Sequence, residues 1–144
     1  MKRYILIVGL ILSTLFAVSV VGAGDFDGTK PLLISVVRVV ECVPDGYCSQ
    51  KSPADIEIPQ FLKVDFANKI ILPTPTPEGA KGTAIERQEI VDGKLILQGA
   101  EDGYDKMRDG LGWTLAISEE TGQVVLTASG EQVAFVVFGA AIPF

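Results

Sequence analysis

Cys42 and Cys48 are the two cysteines of the chain, and histidine is absent. The missing histidine removes the commonest general base and the commonest metal ligand. It excludes a Ser–His–Asp triad, a Cys–His pair and a His-ligated zinc site. The cysteines bracket Val43-Pro44-Asp45-Gly46-Tyr47. A redox-active pair usually has a Cys-X-X-Cys spacing at the start of a helix. Here the turn formers Pro44, Asp45 and Gly46 would instead fold the segment back on itself. A structural Cys42–Cys48 disulfide is therefore expected, with a loop-closure gain of ~3 kcal/mol or less.

Carboxylates are the other candidates for chemistry. Asp25-Phe26-Asp27-Gly28 has the look of a calcium-loop fragment, but Lys30-Pro31 follows where further oxygen ligands are needed. The stretch from Glu101 to Gly110 carries Glu101, Asp102, Asp105 and Asp109 with interleaved Lys106 and Arg108. It reads as a solvated hairpin tip rather than a cation cage. Paired carboxylates do glycosidase work, yet with 18 acidic residues any pairing is arbitrary. Ser35, Ser49, Ser52, Ser118 and Ser129 have neither an activating partner spacing nor the glycines of a nucleophile elbow. Gly99-Ala100-Glu101-Asp102-Gly103 is a turn and not a nucleotide fingerprint. The expectation is no catalytic residue, no metal, no cofactor and no enzyme.

The segment that precedes these residues reads as a leader. Lys2 and Arg3 are followed by an apolar run from Ile5 to Val21 and by the small residues of Val21-Gly22-Ala23. That order predicts a signal peptide over 1–23, cleaved after Ala23, with an uncleaved anchor as the alternative. The chain then has no membrane span after cleavage and sits in the periplasm or the medium. The whole chain has 144 residues and a formal charge of −6. Loss of Lys2 and Arg3 would take the charge to −8. Such a balance argues against nucleic acid as a partner, since binding it calls for clustered Lys and Arg.

Residues 24–144 read as a single all-β domain. Leu32 to Cys42 is rich in β-branched residues and reads as a long strand. One helical turn is expected after Ser52. Phe61 to Phe66 alternates, with Leu62, Val64 and Phe66 on one face. A turn at Ala67-Asn68-Lys69 leads to Ile70–Leu72, and Pro73-Thr-Pro-Thr-Pro77 is an extended loop. Thr83 to Val91, Lys94 to Gln98, Gly112 to Ser118, Gln123 to Thr127 and Val133 to Phe138 complete about eight strands. Asp92-Gly93 is a hairpin signal. Leu95 with Leu97, and Trp113 with Leu115 and Ile117, share faces. Consecutive hairpins imply an antiparallel meander, which closes into a small barrel or packs as a sandwich.

Several strings carry a resemblance. They are Lys30-Pro31-Leu32-Leu33, Glu41-Cys42, Pro59-Gln60-Phe61-Leu62-Lys63-Val64-Asp65-Phe66, and Asp92-Gly93-Lys94-Leu95-Ile96-Leu97-Gln98-Gly99. Glu119-Glu120-Thr121-Gly122 and Val133-Ala134-Phe135-Val136-Val137-Phe138-Gly139-Ala140 belong with them. Together they resemble a group of small exported proteobacterial proteins of uncharacterised function, over most of residues 27–143. The resemblance implies no activity. Its pattern has further cysteines where this chain has Ile34 and Ala141, which implies that the first strand lies beside the last. Tyr104 to Leu111 departs from it as an insertion before Trp113.

Two binding roles follow from these readings. Trp113, Leu115 and Phe135 are candidates to line a cavity for a small apolar ligand in a barrel mouth. Asp102, Asp105 and Asp109 are candidates to meet a basic protein partner, such as a lysozyme-type hydrolase. A structural envelope component without a discrete ligand is the third reading.

Overall fold

The computed structural model describes residues 24–103 and 109–144. The expected leader with its cleavage point after Ala23 lies outside the described residues, and so does Asp105. Among the described residues no helix is long and apolar enough to cross a membrane.

The fold is all-β and antiparallel. In chain order the strands are β1 (Leu32–Cys42), β2 (Cys48–Lys51), β3 (Phe61–Asp65), β4 (Ile70–Pro73), β5 (Thr83–Ala84), β6 (Arg87–Val91), β7 (Lys94–Glu101), β8 (Leu111–Ser118), β9 (Gln123–Ser129) and β10 (Ala134–Pro143). They form one sheet in the order β5-β4-β3-β1-β10-β9-β8-β7-β6, with β2 paired to β1 beside β3. Two differences from the expected eight strands have local causes. The polar Cys48–Lys51 segment becomes a strand because the Cys42–Cys48 bridge and the turn between them lay it along β1. The stretch from Thr83 to Val91 divides because its two ends pair with different neighbours.

That division curls the sheet into a half-barrel and joins its edges. Ile85 N donates to Lys69 O at 2.9 Å, and the next residue, Glu86 N, donates to Gln98 O at 2.9 Å. Adjacent residues of an extended chain point their amides to opposite sides. One run of chain therefore grips β4 on one side and β7 on the other. Close approach at this seam requires Gly99, because a Cβ there would collide with Ala84 O and lie 2.5 Å from the Trp113 ring. Trp113 Nε1 donates to Thr83 Oγ1 at 3.0 Å and ties β8 to the bridging run.

β1 shows how the sequence pattern is read by the sheet. Leu32, Ile34 and Val36 face inward, then the register shifts between Val36 and Arg38. Val37 is the extra residue of a bulge and is 70% exposed. The bulge resets the alternation so that Val39 is again buried. Gln60, just before β3, serves it: Val36 N donates to Gln60 O at 2.9 Å, and Gln60 Nε2 donates back to Val36 O. The hairpin at Asp92-Gly93 has positive φ at both positions, 48° and 71°, as a two-residue turn matching strand twist requires.

The core lies on the concave face. Leu32, Val64, Leu95, Leu97 and Ile117 are fully buried there, among others. One end is plugged by the lead-in before β1, which the sequence presents as a polar turn. Phe26 is 6% exposed and packs into the main cluster. Its ring occupies the space a Cβ on Gly122 would need. The flanking acids stay outside: Asp27 Oδ1 accepts from Thr29 N and Oγ1, and Asp25 pairs with Lys30 at 2.8 Å. These contacts close a turn.

Candidate functional site

The strands run so that Leu32, Asp65, Ser118, Gln123 and Pro143 end near the Phe26 plug, whereas Cys42, Phe61, Glu101, Leu111 and Ser129 end at the opposite rim. That second end is open. A cleft of about 780 Å³ enters it. This is within the range of small-molecule sites, ~300–1,000 Å³.

Alternation places the cleft's apolar walls. Trp113 and Leu115 point inward from β8, Leu126 and Ala128 from β9, and Phe135 from β10. Trp113, Leu115 and Phe135, chosen from spacing alone, are thus brought together on one lining. They differ in depth. Leu115 is fully buried, and Trp113 is 6% exposed with its indole N–H committed to Thr83. Phe135 is half-buried and, with Leu62 and Leu126, bridges the main core cluster to a smaller one of Val36, Val39 and Val137. Leu62, Leu126 and Phe135 therefore form the floor that a ligand would meet.

The remaining wall comes from residues that alternation does not reveal. Ser52 starts the expected helical turn, a short 3-10 turn over Pro53–Ile56. It is a reciprocal cap: Asp55 N donates to Ser52 Oγ at 3.3 Å and Ser52 N donates to Asp55 Oδ2 at 2.9 Å. The Ser52 hydroxyl, and then its backbone N–H, hold the Asp55 carboxyl below its ordinary pKa. Glu57 then turns left-handed, φ 57°, and its N–H returns to the turn's own carbonyls. The result sets Ile56 and Ile58 against the smaller cluster and along the cleft. A Ser-x-x-Asp cap was the legible signal; the inward direction of both isoleucines depends on the reversal at Glu57.

The rim is charged. Among the described residues, Glu57, Glu101, Asp102 and Asp109 line the mouth with one basic residue, Lys81. All are exposed. Gly103 and Gly110 let the two arms of the β7–β8 hairpin close on each other, since a Cβ on Gly103 would strike the Asp109 carboxylate and one on Gly110 would lie 2.9 Å from Glu101 O. Asp102 and Asp109 are therefore brought to the same opening as the apolar lining. Among the described residues no three carboxylates or cysteines are grouped to hold a metal ion. The rim spreads its charge around an opening. On the other side, Cys42 and Cys48 are bonded across β1 and β2, with Tyr47 N donating to Asp45 Oδ1 at 2.8 Å inside the turn. Both sulfurs are committed, so the bridge pins the rim.

Compared with known proteins, the chain matches no family model, no curated protein and no solved structure. The functional reading rests on the site.

Proposed function

We propose that the protein is a non-catalytic binding module, exported to the periplasm or the medium, that takes a small apolar ligand into the open end of its half-barrel. The observation that carries this reading is the asymmetry of the two ends. One is sealed by Phe26, and the other opens through an apolar cleft floored by Leu62, Leu126 and Phe135. A core needing only stability would fill both ends with side chains. The Cys42–Cys48 bond supports the export reading, because disulfides persist in oxidising compartments. The alternative, docking on a basic hydrolase, draws on Asp102 and Asp109, but these carboxylates frame an apolar opening rather than stand apart from it.

Uptake of the neutral dye N-phenyl-1-naphthylamine tests the reading, followed by energy transfer from Trp113, the chain's single tryptophan. Saturable transfer at one dye per chain is expected, together with a stoichiometric small adduct in native mass spectra of protein taken from its own cells. A bare mass with no energy transfer at any dye concentration would overturn it.

A further inference from the structure

We propose that the ligand is a cationic amphiphile: one apolar chain bearing an ammonium-type head. This rests on the reading of the cleft as a ligand site and adds the chemistry of the head group. Two features of one opening carry it. The interior offers mainly apolar side chains to the ligand body, and its polar pair, the Trp113 indole N–H and the Thr83 hydroxyl, are bonded to each other. The rim offers Glu57, Glu101, Asp102 and Asp109 against Lys81, a balance of three negative charges.

A ligand entering this opening leaves its polar end among the carboxylates. An anionic head there meets like charge beside low-dielectric walls, where the field is focused. An ammonium meets complementary charge and stays hydrated at the exposed rim, so it avoids the cost of burying an ion. A fatty acid or a neutral alcohol lacks that gain. The carboxylates are dispersed and not convergent, which suits a diffuse organic cation better than a metal ion.

A head-group series on the full chain decides it. Decyltrimethylammonium, decanol and decanoate, each below its micellar concentration, are titrated against Trp113 emission at low and high salt. Decyltrimethylammonium is expected to bind tighter than decanoate by about tenfold or more, the lower end of the enrichment that a charged cleft gives. High salt should shrink the difference, because exposed charges are screened. The triple variant Glu101→Gln, Asp102→Asn, Asp109→Asn should level the series, with circular dichroism reporting that the fold is kept. Equal binding of all three compounds, or a preference for decanoate, would overturn the head-group inference and leave the cleft as a site. Binding by none of them would overturn both. Tetramethylammonium binding as well as the decyl compound would also overturn it, since the apolar chain would then contribute nothing.

Discussion

At the scale of single residues, the carboxylates divide by what they touch. Asp27, Asp55 and Asp65 each accept hydrogen bonds from a neighbour two or three residues on or back: Thr29, Ser52 and Asn68. In each case the neighbour's side chain first, and its backbone second, lowers the carboxyl below its ordinary 3.8. A lowered folded-state value contributes stability that is complete above the unfolded value and is lost as pH falls through the folded one. Lys30 works in the opposite sense. The Asp25 carboxylate raises it above 10.5, so its contribution is complete below that value and is lost as pH climbs through the raised one. The melting temperature should therefore fall as the solution is acidified below 3.8, while the Asp55→Asn protein, lacking one of the three groups, shows a shallower acid slope. Parallel slopes for the two proteins would mean that Asp55 titrates without coupling to the fold. These local bonds are legible as Asp-x-Thr, Ser-x-x-Asp and Asp-x-x-Asn spacings, because a short polar side chain reaches only its own turn.

The strands were legible wherever one face had to be buried. Leu95 with Leu97, Trp113 with Leu115 and Ile117, and Val64 between Leu62 and Phe66 all fall where alternation puts them. Two kinds of element escaped. β2 is polar and held by its covalent tie to β1, so no periodicity marks it. The bulge at Val37 breaks a run of valines that gives no sign of where the parity changes. The pairing of β1 with β10 sets Ile34 directly opposite Ala141. Ala141 N–H points away from β1, donating to Gly122 O at 2.7 Å, and Val36 N–H points away from β10 toward Gln60. The Ile34–Ala141 pair is thus of the non-hydrogen-bonded kind, in which side chains approach most closely, with Cα atoms ~4.5 Å apart. That separation falls at the short end of the range a disulfide accepts, ~4.4–6.8 Å. Introducing Ile34→Cys and Ala141→Cys together should give a spontaneous second bridge, seen as a further two-hydrogen loss of mass and no titratable thiol. Leu33→Cys with Ala141→Cys places the two on opposite faces and should stay reduced. Persistent free thiols in the first pair would refute the register.

For the molecule as a whole, the question is what distinguishes the two ends of the half-barrel. Phe26 lies in a stretch whose neighbours Asp25, Asp27 and Gly28 all signal a surface turn, and its burial is decided by Gly122, far away in sequence. No local pattern reports such a contact. Phe135 alternates visibly, yet only the assembled sheet shows that it ends half-buried at an opening and not in a filled core. The two phenylalanines should accordingly fail in different ways. Phe26→Ala removes a side chain buried on every side and should cost about 3–5 kcal/mol, the usual range for core Phe→Ala changes. It should leave dye uptake per folded molecule unchanged, because the cleft floor is built from other strands. Phe135→Ala enlarges a space already open to solvent and should cost less stability, of order 1 kcal/mol, by the smaller apolar area it takes out of burial. It should weaken dye uptake several-fold. Urea unfolding monitored by circular dichroism gives the stability of both variants, and Trp113 energy transfer gives the binding. Stability and binding lost together in both variants would mean that the open end is a thinly packed part of the core, and the division of the barrel into a plug and a site would be wrong.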